Sequence, residues 1–147
     1  MDVINLLDIE LKNAMRSKDQ VARDTIRMVR TNIKLAEVEK GRSLEEAELI
    51  SILHKEVKKR EETITDAEKA NRPDLIEQSK AELLILDQFL PEPLSEEELR
   101  QLAEDAISEA AANGPSDMGK VMKILVPRLQ GRVPGGQASK MVRDLLV

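Results

Sequence analysis

Between residues 22 and 36 the apolar side chains Ala22, Ile26, Val29, Ile33 and Ala36 step by 4, 3, 4 and 3 positions. That spacing lines one face of a helix and leaves the other face to polar groups. Similar steps recur along nearly the whole chain, and no stretch alternates apolar and polar residues as a half-buried strand would. Phe89 is the only aromatic residue, and charged residues make up 35% of the 147. A core without aromatics must be built from aliphatic contacts between helices, so the sequence predicts an all-α fold.

Asp2 can cap a first helix that buries Val3, Leu6, Leu7, Leu11, Ala14 and Met15, and Ser17-Lys18-Asp19 reads as a turn. The second helix spans about Gln20 to Lys40 and stops at Gly41. Ser43-Leu44-Glu45-Glu46 reads as a capping box opening a third, long helix to about Ala70. Its inner residues are Ala47, Ile50, Leu53, Val57 and Ile64, and His54 lies on or near the buried face. Pro73 starts a fourth helix with Ile76, Ser79, Leu83, Leu86 and Leu90 as its seam, thickened by Leu84, Ile85 and Phe89. Pro91-Glu92-Pro93 then halts helical structure, because proline lacks a donor and biases its predecessor out of the α region. The expected organisation is an N-terminal helical bundle, residues 1–90, and a small C-terminal three-helix module, residues 91–147.

In that module, Ser95-Glu96-Glu97-Glu98 is a second capping box, and its helix buries Leu99, Leu102, Ala106, Ile107 and Ala110. A helix over Asp117–Gln130, a glycine-rich turn over Gly131–Gly136 and a short final helix follow. Residues 114–147 hold six Lys or Arg against two Asp, a net +4, which leaves 17 against 26, a net −9, for residues 1–113. A basic tail on an acidic body permits a directed contact with phosphates. The candidate residues are Lys120, Lys123, Arg128, Arg132, Lys140 and Arg143, with Gly119 and Gly131 among them. Glycine weakens a helix and is tolerated where something packs close to the backbone, and backbone N–H groups at a helix start attract anions. An ordinary solvated face around a tight helix contact fits the same residues.

A second basic stripe, Arg23, Arg27, Arg30 and Lys34, runs beside the apolar seam of the second helix. Two readings fit it: long stems covering core edges and pairing with acids of a neighbouring helix, or a surface for phosphate or an acidic partner.

Little in the chain points to catalysis. There is no cysteine, so disulfides, thiolate metal sites and thiol nucleophiles are excluded. The one histidine, His54, has no second ligand nearby and reads as structural. No serine stands in a nucleophile context, and no phosphate-binding glycine fingerprint follows a strand. Neither metal nor cofactor is expected. No basic leader with an apolar run opens the chain, and no segment approaches the roughly 20 apolar residues that span a bilayer. A cytoplasmic location is therefore expected, with no membrane partner.

Three stretches carry a resemblance: Ile26-Arg27-Met28-Val29-Arg30, Phe89 to Leu99 (FLPEPLSEEEL), and Asp117-Met118-Gly119-Lys120-Val121-Met122 with Pro127 and Gly131-Arg132 beyond it. In this order and spacing the chain resembles the stand-alone YqeY proteins of the GatB/YqeY family over its whole length. The resemblance implies an α-helical N-terminal part and a three-helix C-terminal module. That module also forms the tail of the B subunit of glutamine-dependent aspartyl/glutamyl-tRNA amidotransferase and is appended to some glutaminyl-tRNA synthetases. It therefore implies a tRNA contact, or assistance to an enzyme that modifies or aminoacylates tRNA, through Gly119, Lys120, Lys123, Gly131 and Arg132. Family members also carry the label of carbon–nitrogen ligase with glutamine as amide donor, a label read here as inherited from the larger enzyme. One departure stands out: where the family has Ala-Asp-Gly-Lys, this chain has Val133-Pro134-Gly135-Gly136. The expected function is a non-catalytic tRNA-contacting module, with a protein-interaction adaptor as the alternative and the ligase third.

Overall fold

In the computed structural model, which describes residues 2–147, every regular element is helical. The order is α1 (Val3–Ser17), α2 (Gln20–Lys40), α3 (Glu46–Lys69), α4 (Pro73–Asp87), α5 (Glu96–Ala110), a 3-10 turn (Pro115–Asp117), α6 (Met118–Leu129) and α7 (Gly135–Leu145). Two compact units result, one ending at Leu90 and the other running from Pro91 to Val147.

In the first unit α1 packs on α2, α3 on α4, and α2 on both α3 and α4. Aspartates start the first two helices: Asp2 Oδ1 accepts from Asn5 N at 3.1 Å, and Asp19 Oδ1 accepts from Ala22 N at 3.1 Å. Gly41 ends α2 with φ 70°, and its N–H reaches the Glu37 carbonyl at 2.8 Å. The seam of α2 lies in the core as its spacing predicts, with Ile26 and Val29 both 1% exposed. They meet Leu7, Leu53, Leu86 and Phe89, which are fully buried. Each such side chain contributes about 1.5–3 kcal/mol by leaving water.

The core also holds charge that the sequence does not advertise. Glu56 is 2% exposed and ion-pairs with Arg60, one turn further along α3. Asn32 Nδ2 of α2 donates to Glu56 Oε1 at 2.7 Å, and Arg60 Nε donates to Glu82 Oε2 of α4 at 3.2 Å. Three helices are tied through one satisfied polar group, so the cost of burying these charges is offset by directed hydrogen bonds.

Several local expectations are corrected. The third helix starts at Glu46 with Glu45 as its cap, and Glu48, not Glu46, accepts from the cap backbone, Glu45 N, at 2.8 Å. Glu46 turns instead to the start of α1, where Oε1 accepts from Val3 N at 3.2 Å. Three residues assigned to the interior face outward: Met15 is 54% exposed, Leu84 69%, and Ala47 in the first turn of α3 is exposed as well. The fourth helix ends at Asp87, and Gln88, Phe89 and Leu90 continue as tighter turns bonded to carbonyls three residues back. His54 is half-buried.

The second unit is a three-helix module in which α5 packs on α6 and α7, and α6 on α7. Its core joins Leu99, Ala103 and Ala106 of α5 to Val121 and Leu125 of α6 and Val142 of α7. The capping box read at Ser95 is present: Ser95 Oγ accepts from Glu98 N at 3.1 Å, and Glu98 Oε2 accepts from Ser95 N at 3.0 Å. Helix α6 runs through Pro127 to Leu129. Gly135 and Gly136, assigned to a turn, form the first residues of α7.

Candidate nucleic-acid interface

Helix α6 carries three of the basic candidates, and its first turn differs from an open anion site. Asp117 sits at the N-cap, where its Oδ2 accepts from Asn113 N at 3.0 Å and its Oδ1 stands 3.8 Å from Lys120 Nζ. A carboxylate of the chain thus stands at the helix start, bonded to Asn113 N rather than to the α6 backbone, and its charge would repel a phosphate there. The anion-binding role expected for this helix start is accordingly not assigned to it.

Gly119 does not serve a tight internal contact either. A Cβ built on it would meet nothing within 4 Å, and the residue is exposed in the first turn of α6. Packing inside the chain gives no reason for glycine there. Gly131 has φ 71°, a left-handed conformation that turns the chain after α6 and favours glycine.

The cations divide into engaged and unengaged. Arg128 of α6 pairs with Glu109 of α5, whose carboxyl is held below the ordinary carboxylate range by the guanidinium hydrogen bond. Arg132 is committed twice: its Nε donates to the Glu92 carbonyl at 2.8 Å, and its Nη2 lies 3.9 Å from Glu98 Oε2. Lys120 is 74% exposed beside Asp117. Among the described residues no ion pair involves Lys123 of α6, or Lys140 and Arg143 of α7, and all three are exposed. These are the cations of the module whose charge is available to an external phosphate.

On α2, Arg23 lies against Asp24 at 3.0 Å and Arg30 against Asp8 of α1 at 3.4 Å, with no acid partner for Arg27 or Lys34 among the described residues. Of the stripe, only Arg30 thus meets an acid of a neighbouring helix; Arg23 meets the adjacent residue of its own helix, and Arg27 and Lys34 meet no acid among the described residues. The partners Glu109 and Glu92 were not legible in the sequence, because they lie 19 and 40 positions from the arginines they hold. Asp117 and Lys120, three apart on one helix turn, carried the one local signal for such a pairing.

The whole chain, residues 4–146, matches the family model described as Yqey-like protein. The chain belongs to the YqeY-like family. Among its relatives is a protein of Pyrenophora tritici-repentis named Altered inheritance of mitochondria protein 41, mitochondrial, 30% identical over 147 residues, which covers 98% of this chain and 81% of that protein. The protein of the same name from Lachancea thermotolerans is 31% identical over 79% of this chain and 64% of its own length. For the Kluyveromyces lactis protein of that name the figures are 35% identity, 60% and 49%. The match thus spans four-fifths of the first relative, but less than two thirds of the second and about half of the third.

These names overturn the expected cytoplasmic location, since all three relatives are named as mitochondrial proteins. Surface charge and hydropathy report the solvent a protein meets. Both compartments are aqueous, so composition does not separate them.

Proposed function

We propose that this YqeY-like protein is a non-catalytic module that contacts folded tRNA through its C-terminal unit, alone or in support of an enzyme that acts on tRNA. The observation that carries the reading is the set of exposed, unengaged cations Lys123, Lys140 and Arg143 on two packed helices, α6 and α7, within residues 114–147, whose net charge is +4. Point charges on a helical surface grip a phosphate backbone without reading bases, which suits recognition of a folded RNA by shape. Without Trp or Tyr, and with Phe89 fully buried, stacking on splayed single-stranded bases has no platform. Gly119 fits the same role, because an exposed backbone without a side chain lets a ribose, rather than a phosphate, approach this turn closely. Arg128 and Arg132 act in this reading as supports of the module rather than as RNA ligands. No residue is assigned to glutamine-dependent chemistry.

Fluorescence anisotropy with labelled tRNA, and an unstructured RNA of equal length as control, tests the proposal. Preference for tRNA supports it. Equal or absent binding of both RNAs sinks it.

A further inference from the structure

The first unit carries a surface that RNA contact by the second does not use. Beside α2 an open groove of about 620 Å³ is lined by Leu11, Arg27, Arg30, Lys34, Leu35 and Val38. Leu35 is 63% exposed and Val38 81%, the latter the most exposed large apolar residue among the described residues apart from Val147. A second groove of about 320 Å³, lined by Met15, Lys18, Arg23 and Arg27 among others, shares Arg27 with the first. Together they follow α2 from Arg23 to Val38, about 22 Å or four helical turns at 1.5 Å per residue.

From this we infer that the α2 groove docks an acidic amphipathic helix of a partner protein. Charge complementarity names the occupant. Arg27 and Lys34 have no ion-pair partner among the described residues, and Arg30 is met only by Asp8 at 3.4 Å. Carboxylates on a docked helix would meet these cations, while its apolar residues at three-to-four spacing would cover Leu35 and Val38. A phosphate backbone could answer the cations but gains nothing from covering a leucine and a valine. Those two residues decide between protein and nucleic acid. The inference does not rest on tRNA binding, because its residues and those proposed to meet RNA lie in different units.

The test uses the full chain as bait for a displayed library of random peptides of roughly 16 residues, the length that would span the groove as a helix. The peptide selected is then synthesised, labelled, and titrated against the wild-type chain and the Lys34→Glu, Leu35→Asp, Val38→Asp and Lys123→Glu variants. The three α2 positions are exposed, so the variants keep the native circular dichroism spectrum. Selected peptides should be acidic, with Leu, Ile or Met three to four positions apart. Their affinity should fall roughly tenfold or more in each α2 variant and stay unchanged in Lys123→Glu. Failure to enrich acidic peptides, or equal binding by the α2 variants, overturns the inference. Two further outcomes replace it with another occupant: self-association in ultracentrifugation that Leu35→Asp abolishes, pointing to a second copy, or tRNA affinity that Lys34→Glu abolishes, pointing to RNA.

Discussion

Arg132 and Glu92 are joined by a hydrogen bond of 2.8 Å from the guanidinium Nε to the main-chain carbonyl, 40 residues apart in sequence. The Arg132 carbonyl in turn accepts from Leu94 N at 3.1 Å, so the segment leading into α5 is pinned to the turn after α6. A residue that looks in sequence like a phosphate ligand is thereby a fastening of the module.

Replacing Arg132 with alanine should lower the stability of the second unit by about 1–2 kcal/mol, the cost of a charge-assisted hydrogen bond. Lysine should not restore it, because an ammonium lacks the flat guanidinium edge that reaches the carbonyl. Urea unfolding followed by circular dichroism checks both variants. Full stability in Arg132→Ala would contradict the fastening role.

The buried group around Glu56 makes a larger prediction. Glu56→Ala removes the carboxylate that accepts from Asn32 and Arg60 and leaves Arg60 with Glu82 alone. Stability of the first unit should fall by less than about 3–5 kcal/mol, the cost of a fully broken buried pair, because Asn32 loses its acceptor while Arg60 keeps the Glu82 carboxylate. Replacing Glu56 and Arg60 together by Leu and Met should cost much less than the two single changes added, a coupling that a double-mutant cycle measures.

Glu48 sets a pH dependence. Hydrogen bonds from Arg42, Lys40 and the Glu45 backbone hold its carboxyl well below the ordinary value of 4.5. A lowered folded value means that the contribution is complete above about pH 4.5 and fades as pH falls toward the lowered value. Between pH 5 and pH 2, Glu48→Gln should therefore lose less stability than the wild-type chain. Identical slopes in acid titrations of the two proteins would rule out this contribution.

Gly119 and Gly136 lie in helices with room for a methyl group and with φ outside the left-handed region. Gly→Ala at either position should stabilise the chain by about 0.5–1 kcal/mol. At Gly119 alone the gain should come with weaker tRNA binding, because the added carbon stands where RNA approaches. Thermal melts and anisotropy on the same preparations separate the two effects.

The fold was most legible where packing alone decides. Ile26, Val29 and Ile33 announce the core face of α2 by spacing, and they are buried. Legibility failed where several apolar residues run together: Leu83 to Leu86 leave the phase of α4 open, and Leu84 is the one turned to solvent. It failed again at Glu56 and Arg60, which stand one helical turn apart with nothing in their spacing that marks them as buried. Only the approach of Asn32 and Glu82 from other helices buries them. At Ser43 the capping box read from the sequence is replaced by one between Glu45 and Glu48. Glu46 is bonded to Val3 N instead, a tertiary contact that local sequence does not show. For the candidate interface the sequence showed which residues are cations, but not which are already engaged, since the Glu109 carboxylate that holds Arg128 and the Glu92 carbonyl and Glu98 carboxylate that hold Arg132 come from distant positions.

The most direct measurement is the titration of labelled tRNA with the wild-type chain and with the Lys123→Glu/Lys140→Glu/Arg143→Glu triple variant, each at low and physiological salt. Three phosphate contacts predict that wild-type affinity falls about 40-fold between roughly 50 and 200 mM salt. The triple variant should lose tRNA binding while keeping its helical spectrum and unfolding midpoint. Wild-type and variant curves that coincide at both salts would show that these cations do not meet RNA, and would contradict the assignment of the second unit as a tRNA contact.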